Sequence, residues 1–322
     1  MIDSASRTVT YSPAFTLVPT YECFNRCDYC NFRVEPGQGS WMTLAEAEAQ
    51  LRALQSRGVV EILILSGEVH PKSVQRSAWF ERIYNLCELA LSFGFLPNTN
   101  AGPLSYPEMA RLKEVNVSMG LMLEQLTPKL LTTVHQFSPS KVPALRLEQL
   151  VWAGELQIPF TTGLLLGIGE TEDDRNETLQ AIADLHGQWG HIQEVILQPH
   201  RPGKTQLRDG FSIEMSQFIE TIATARQILP LSITLQIPPN LVPEAELMNC
   251  LEAGVRDLGG IGPVDEVNPD YPHLRSATLK EMLRTSGWSF APRLPVYPQY
   301  DSWLPPRLRA TVQRWRNFLT DS

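Results

Sequence analysis

Eight short apolar segments alternate with stretches of helical periodicity along most of the chain, and this alternation limits the folds it can adopt. Helix-start pairs at Thr43 with Glu46 and at Thr171 with Asp174 support the helical assignments. Apolar strands that alternate with helices form a parallel sheet covered by helices. Eight strands predict an α/β fold with a (β/α)8 TIM-type barrel, and a doubly wound open sheet is the alternative. The predicted strands are residues 15–19, 60–65, 93–97, 115–119, 160–166, 194–198, 231–236 and 255–258, and the predicted helices include residues 44–56, 80–93, 145–156, 177–189 and 218–229.

The alternation ends near residue 285. Residues 285–322 contain five prolines and several aromatic residues, followed by a helical run over 308–319. We interpret residues 1–284 as the barrel domain and residues 285–322 as a C-terminal tail packed on it. The tail is expected to close either the bottom or the mouth of the barrel.

Composition excludes several classes of function. The 322 residues carry a formal net charge of −8, which argues against a nucleic-acid partner, since such a partner requires a basic face. No window approaches 18 apolar residues, and the first residues lack the apolar run of a signal peptide. We therefore expect a soluble, cytoplasmic protein without a membrane span.

Three cysteines lie close together in the pattern C-x3-C-x2-C, at Cys23, Cys27 and Cys30. Soft sulfur ligands in so short a loop favour an iron–sulfur or a zinc centre. Three thiolates satisfy three irons of a [4Fe–4S] cluster and leave the fourth iron open. A structural zinc site would need a fourth ligand from a second pair, which the sequence lacks. A disulfide framework fits poorly without a secretory signal, and chance clustering is the remaining alternative.

The cysteine spacing, with Tyr29 directly before the last cysteine, resembles that of the radical S-adenosylmethionine (radical SAM) enzymes. The resemblance implies that Cys23, Cys27 and Cys30 hold one [4Fe–4S] cluster and that SAM chelates its open iron. The reduced cluster of this family cleaves SAM and releases a 5′-deoxyadenosyl radical, so a low-potential electron donor is an implied partner. Tyr29 is assigned to the same cofactor site.

Other unusual segments also follow predicted strands, where the active sites of (β/α)8 barrels lie. Ser66, Gly67 and Glu68 follow the second strand, in the place of the Gly-Gly-Glu segment that holds the methionine ammonium in radical SAM enzymes. Ser66 stands where that segment has its first glycine, so the match is incomplete. The alternative is that these residues form an ordinary strand-to-helix turn. The remaining segments of this kind are residues 98–102, 124, 167–170 and 198–201.

Two further parts of the cofactor site are implied by the resemblance. Gly167, Ile168 and Gly169 look like the glycine-rich segment that passes under the adenine, because glycine lets the backbone approach a flat ring. Glycines that merely end a strand are the alternative. Glu124 and Arg146 stand where a glutamate and an arginine contact the cofactor in the biotin-synthase and hydrogenase-maturase branch. A guanidinium is suited to fork onto a carboxylate, although Arg146 also fits an ordinary solvated helix position.

The other cysteines and histidines carry weaker signals. Cys87 and Cys250 are expected to be buried small hydrophobic residues. The six histidines have no metal-ligand spacing, and only His70 and His200 follow predicted strands, which makes them weak candidates for proton transfer. No catalytic base is identified from the sequence.

Several longer phrases, at residues 11–14, 17–27, 120–124 and 254–264, resemble one radical SAM subfamily, the deazaflavin-forming synthases. This implies cyclisation of 5-amino-5-(4-hydroxybenzyl)-6-(D-ribitylimino)-5,6-dihydrouracil, with loss of ammonia, to a tricyclic deazaflavin. The earlier-acting radical SAM subunit, which makes this compound, is then an implied partner. The alternatives are that sister enzyme itself, another biotin-synthase-like radical SAM enzyme, and a zinc-stapled binding protein without catalysis.

Overall fold

Parallel strands close into a barrel in the computed structural model, which describes residues 7–204, 206 and 212–320. Neighbouring strands pair in the order β2-β3-β4-β5-β6-β7-β8-β1, and β1 also pairs with β2, which closes the ring. The predicted (β/α)8 barrel is therefore confirmed, and the doubly wound alternative is excluded. The barrel strands are β1 (Thr8–Leu17), β2 (Glu61–Leu65), β3 (Leu96–Asn100), β4 (Ser118–Gly120), β5 (Phe160–Leu166), β6 (Ile192–Pro199), β7 (Thr234–Gln236) and β8 (Asp257–Ile261).

Helices follow the strands and cover the outside of the barrel. Both predicted capping boxes are present, at Thr43 with Glu46 and at Thr171 with Asp174. Large apolar side chains are fully buried between helices and strands. No helix of the described residues is long and apolar enough to cross a membrane. The helices are α1 (Leu44–Leu54), α2 (Arg76–Ser92), α3 (Tyr106–Lys113), α4 (Pro143–Glu155), α5 (Glu172–Trp189), α6 (Met215–Ile228), α7 (Glu244–Ala253), α8 (Ser276–Thr285) and α9 (Pro306–Thr320).

The third strand starts later than predicted and contains polar residues that were expected to follow it. Residues 93–95 complete the end of α2, where Gly94 adopts a φ of +85°. β3 then runs from Leu96 to Asn100, so Asn98 and Asn100 lie on the strand itself. Polar residues are tolerated there because alternate side chains of the strand face the barrel interior, where other polar side chains also line the cavity.

The barrel interior contains a cavity of about 200 Å³. Barrels of this type usually fill their interior with layers of branched apolar side chains. Here the small residues Ala14, Gly120 and Gly260 leave space, and many of the inward-facing positions are polar. The polar lining from the strands consists of Thr16, Glu61, Asn98, Asn100, Thr161, Glu194, Gln198 and Gln236.

A ninth strand, β9 (Ser289–Pro292), pairs in parallel with Thr8–Tyr11, the first residues of β1. These residues precede the predicted start of β1 at residue 15, so the strand is longer than expected. Immediately after β9, the guanidinium of Arg293 binds the carboxylate of Asp257 through Nε and Nη2, at 2.6 and 2.7 Å. It also contacts Glu194. Arg293 therefore lies across the N-terminal end of the barrel.

The remaining C-terminal residues pack on the same end. Val60, Leu96 and Val117, which lie at the N-terminal ends of β2, β3 and β4, form a second apolar cluster with residues of the tail. The indole Nε1 of Trp315 donates to the carbonyl of Gly94 at 2.7 Å. The tail thus covers the bottom of the barrel and leaves its mouth uncovered. The tail side chains buried in this cluster are Leu294, Val296, Tyr300, Leu304, Leu308 and Val312.

Candidate functional site

The cysteine loop follows β1 and is fixed at the mouth of the barrel by main-chain hydrogen bonds on two sides. On one side, Phe24 N donates to Glu68 O at 3.0 Å. On the other side, Arg26 N donates to Phe137 O at 2.9 Å, and Asp28 N donates to Val134 O at 3.1 Å. The loop therefore lies between the loop after β2 and the segment that precedes α4.

Gly67 makes the close approach between these two loops possible. Its N–H donates to Thr20 O at 2.8 Å, and a Cβ at this position would lie 2.2 Å from Glu22 O. Any larger residue would push the cysteine loop away from the end of β2. Glu22 fixes the far side of the loop, because its carboxylate accepts hydrogen bonds from the N–H groups of Gly37 and Gly39 at 2.8 and 2.9 Å.

The three predicted ligands, Cys23, Cys27 and Cys30, are free and partly exposed thiols. Burial, reinforced by the nearby Glu68 carboxylate, raises the pKa of Cys23 to about 11. Burial also raises the pKa of Cys27, although the Lys141 ammonium acts in the opposite direction. Cys23 and Cys27 therefore carry protons at neutral pH until a metal displaces them.

The donor set suits a cluster better than a single ion. Within the described ranges, no group of three or more His, Cys, Asp or Glu side chains converges on one metal ion. Thiolates that bind three different irons of a cubane lie further apart than ligands that share one zinc ion. Three soft thiol donors on one loop are the ligand type that suits the irons of a [4Fe–4S] cluster, with one iron left open.

A buried polar network joins the cysteine loop to the predicted residues Glu68 and Arg146. The Asn25 amide donates to Glu68 Oε2 at 2.8 Å and to Ser140 Oγ at 2.9 Å. Arg146 Nη2 donates to Glu68 Oε1 at 3.3 Å. Arg146 also donates to the carbonyls of Ser140 and Met122, at 3.1 and 2.5 Å. Since Arg146 is only 2% exposed, the alternative of an ordinary solvated helix position is excluded.

Glu124 forms a second buried ion pair beside the first. Lys141 Nζ lies 2.5 Å from Glu124 Oε1, and both side chains are at most 11% exposed. Burial alone would raise the pKa of Glu124, but Lys141 and Arg146 outweigh it and lower that pKa. Burial and Arg146 would lower the pKa of Lys141, but Glu124 and Cys27 outweigh them and raise it. Both groups are therefore charged at neutral pH.

The turn after β5 presents its backbone to the same region. Gly167 and Gly169 adopt φ values of +85° and +108°, which favour glycine. The Glu170 carboxylate accepts from the N–H groups of Gly167 and Ile168, both at 2.8 Å. Arg175 in turn donates to Glu170 Oε1 at 2.9 Å and fixes its orientation.

Tyr29 connects this turn to the cysteine loop. Its ring packs against a small apolar cluster that contains Ile168. Its hydroxyl lies 2.9 Å from His135 Nε2, and the Lys141 ammonium lies 5.8 Å from its ring centroid. Burial and the Lys141 charge lower the pKa of His135 to about 4, so the imidazole is neutral at pH 7.

The other residues considered from the sequence lie elsewhere or have other partners. His70 contacts the Phe24 ring edge-on at 5.1 Å and is exposed on the outer side of the loop after β2. His200 Nε2 lies 3.2 Å from Gln206 Oε1 at the end of β6. Cys87 and Cys250 are fully buried in α2 and α7, as expected.

Sequence reasoning missed the residues that hold the site together. Asn25 lies inside the cysteine motif, where only the cysteines and Tyr29 carried a recognised signal. Lys141 lies on the short turn Pro139–Lys141, far in sequence from Glu124. Glu170 follows the predicted glycine segment, so its capping role could have been inferred from an acidic residue beside a tight turn.

A family model described as the radical SAM superfamily matches residues 17–182, which is about half of the chain. Two proteins named 7,8-didemethyl-8-hydroxy-5-deazariboflavin synthase are similar over nearly the full length. The one from Trichormus variabilis is 66% identical over 96% of this chain and 92% of its own length. The one from Trichodesmium erythraeum is 62% identical over 97% of this chain and 98% of its own length.

Solved structures share the fold at low sequence identity. The FeFe-hydrogenase maturase HydG from Carboxydothermus hydrogenoformans gives a TM-score of 0.74 at 18% identity, over 98% of this chain and 79% of that one. Methylornithine synthase gives a TM-score of 0.65 at 13% identity, over 88% of this chain and 84% of that one. The chain belongs to the radical SAM superfamily and, within it, to the family of 7,8-didemethyl-8-hydroxy-5-deazariboflavin synthases.

Proposed function

We propose that this radical SAM enzyme closes the central ring of a deazaflavin. The substrate is 5-amino-5-(4-hydroxybenzyl)-6-(D-ribitylimino)-5,6-dihydrouracil, and the reaction releases ammonia, which makes the enzyme a carbon–nitrogen lyase. The observation that carries this proposal is the position of the cysteine loop at the mouth of a barrel whose interior holds a cavity lined by both polar and apolar side chains. Close similarity to proteins named deazariboflavin synthase supports the identity of the product.

The cofactors in this proposal are one [4Fe–4S] cluster and SAM. When bound, they would supply the 5′-deoxyadenosyl radical that removes a hydrogen atom from the substrate. Cys23, Cys27 and Cys30 would hold the cluster and leave one iron free for SAM. The loop contacts with Glu68 O and Phe137 O keep these thiols at the mouth.

The charged network suits a ligand that carries both an ammonium and a carboxylate. Glu68 and Glu124 would accept from the ammonium, while Arg146 would fork onto the carboxylate. Three donations by Arg146 are made within the described chain, and a guanidinium has five N–H groups, so two remain for a ligand. The turn 167–169 would carry the adenine, with Ile168 and Tyr29 packed beside it and Ser66 and Gly67 holding Glu68 in place.

The barrel itself would orient the substrate and exclude water. Transfer of a hydrogen atom to a carbon radical requires the donor carbon and the radical carbon to lie at contact distance, roughly 3–3.5 Å. The site must also exclude molecules that would react with the radical. The cavity meets this need because the tail closes its lower end. In domain terms, we propose a barrel domain over residues 1–284 and a sealing tail over residues 285–322.

Two partners follow from this chemistry. The earlier-acting radical SAM subunit would condense tyrosine with a ribityl-aminouracil and so supply the substrate. A low-potential electron donor would reduce the cluster before each turnover.

The test is anaerobic turnover by the reconstituted protein. The purified substrate, SAM and a chemical reductant are expected to yield a fluorescent deazaflavin, ammonia and 5′-deoxyadenosine. Cys27→Ala should lose cluster loading and 5′-deoxyadenosine release together, because it removes one of three ligands. Cys87→Ala is the matched control, since Cys87 is buried within α2, and it should retain both.

Two results would contradict the proposal. Wild-type enzyme that condenses tyrosine with the ribityl-aminouracil would instead be the sister enzyme. A colourless anaerobic preparation that contains one zinc and no sulfide would rule out radical chemistry.

A further inference from the structure

The cavity inside the barrel extends along the strands and is not confined to the mouth. On β2 its lining runs from Glu61 through Leu63 to Leu65. Four residue steps along a strand correspond to about 13 Å. Asn98 and Asn100 on β3, together with Glu194 and Gln198 on β6, line the same depth. The shape suits a linear chain better than a flat ring system.

The closed end of this cavity has more hydrogen-bond acceptors than donors. Asn98 Nδ2 donates to Glu61 Oε1 at 2.9 Å. Asn98 Oδ1 is shielded from solvent and has no hydrogen-bond partner among the described residues. Glu61 is only 5% exposed, and its carboxylate supplies two further acceptor oxygens to this end of the cavity. Buried acceptors without a donor are costly, so this end calls for a ligand that donates hydrogen bonds.

Charge at the closed end selects against an anionic ligand. Glu61, Glu194 and Asp257 supply three carboxyl groups there, and Arg293 is the cation between the last two. Arg293 is committed to both of those carboxylates. A phosphate or carboxylate would therefore meet net negative charge, whereas a neutral group rich in hydroxyls would meet acceptors.

The upper part of the cavity offers groups that both donate and accept. The amides of Asn100 and Gln198 line it, and each can donate and accept hydrogen bonds. A chain with a hydroxyl on each carbon could bond such amides at successive depths. An aromatic phenol or a planar uracil would leave most of these groups unpaired.

We propose that the polyhydroxylated side chain of the substrate enters the barrel lengthwise and donates its distal hydroxyls to Glu61 and Asn98. The ring system then stays at the mouth, beside the cysteine loop. The inference rests on the proposed function, which supplies the ribityl chain, and it assigns that chain a binding site. Glu61 and Asn98 become specificity residues that act far from the reacting atoms.

The experiment compares two ligands on the reconstituted holoenzyme with SAM and without reductant, so that calorimetry reports binding alone. One ligand is the ribityl substrate, and the other carries an ethyl group in place of the ribityl chain. Wild type should bind the ribityl compound at least about tenfold more tightly. Asn98→Leu and Glu61→Gln should each weaken binding of the ribityl compound about tenfold and leave the ethyl analogue within about twofold.

Matched controls are Asn249→Leu, at an exposed position of α7, and Glu48→Gln, at a position of α1 whose side chain is 47% exposed; they make the same chemical changes. Glu61→Gln conserves volume, so it tests the proposal even if Asn98→Leu does not fold. Equal losses for both ligands, or no loss for either, would overturn the proposal. The proposal is also overturned if Asn268→Leu, in the loop after β8 that lines the cavity, abolishes the ribityl preference while the two deep variants keep it. Failure of the proposed function can be distinguished from failure of this inference. In that case, wild-type enzyme would form no deazaflavin when reductant is added.

Discussion

At the scale of residues, the site is defined by two buried ion pairs that lie side by side. Glu68 is paired with Arg146, and Glu124 is paired with Lys141. Buried charges are stable only when they are paired, so each member depends on its neighbour. The network contains two carboxylates and two cations, so its charges balance. A zwitterionic ligand could therefore pair with one carboxylate and one cation without leaving a buried charge uncompensated.

Arg146→Ala is expected to weaken SAM binding by about tenfold or more, because hydrogen bonds to charged groups contribute about 1.5–3 kcal/mol each. The change removes the proposed partner of the SAM carboxylate and also leaves Glu68 without its cation. The dissociation constant of SAM on the cluster-loaded protein measures the effect. Arg52→Ala, at an exposed position of α1, is the control. An unchanged dissociation constant for Arg146→Ala would remove this residue from the cofactor site.

At the scale of elements, the turn between β5 and α5 has the strictest backbone requirement. Gly167 has a φ of +85°, and a Cβ there would lie 2.5 Å from Ile213 N. That atom belongs to the backbone, so it cannot rotate away as a side chain could. The conformation and the contact both require glycine.

Gly167→Ala should therefore lower the free energy of unfolding by about 1–3 kcal/mol. Chemical denaturation of the protein without cofactors measures the loss. Gly187→Ala in α5 is the matched control, because a Cβ there meets nothing within 4 Å and alanine favours helix by roughly 0.5–1 kcal/mol. If Gly167→Ala is as stable as wild type, the turn is not restricted as described.

Sequence patterns predicted the elements of the barrel better than their ends. Apolar runs such as residues 160–166 coincide with β5, because a fully buried strand is apolar on both faces. The end of β3 was missed since Asn98 and Asn100 are polar, and a polar residue that faces an internal cavity resembles a loop residue. Strand β9 was missed because a proline-rich segment rarely shows the sequence pattern of a strand. In addition, its partner β1 lies at the opposite end of the sequence, so no local pattern indicates the pairing.

The site was predictable to the extent that local spacing encodes it. The cysteines and Gly167 lie in short motifs, and Glu124 was predicted from its place after β4, whereas the pairs Asn25–Ser140 and Lys141–Glu124 come together only through the fold. Their contacts join residues 17 to 115 positions apart, and no pattern in the sequence records such distances.

At the scale of the whole molecule, the tail contributes one cation, Arg293, which two carboxylates at the N-terminal end of the barrel share. Arg293 binds Asp257 through two hydrogen bonds and also contacts Glu194. One guanidinium cannot neutralise two carboxylates completely. Burial, opposed by Arg293 and reinforced by Asp257, therefore raises the pKa of Glu194 to about 7.

This raised pKa predicts a pH-dependent stability. As the pH rises from about 4.5 to about 7, the unfolded state releases the Glu194 proton first, so the free energy of unfolding falls. Glu194→Gln cannot ionise, so the stability of wild type relative to this variant should decrease over that range, by about 1–3 kcal/mol. Denaturation at a series of pH values measures the difference. A difference that stays constant with pH would show that Glu194 is ionised throughout.

The sealed floor also determines how molecules pass through the enzyme. With Arg293 and the second apolar cluster at one pole, the described chain leaves the opposite pole for both arrival and departure. A finished deazaflavin must then leave by the route that the next substrate uses. Release of product would precede each new binding event, and accumulated product would act as a competitive inhibitor.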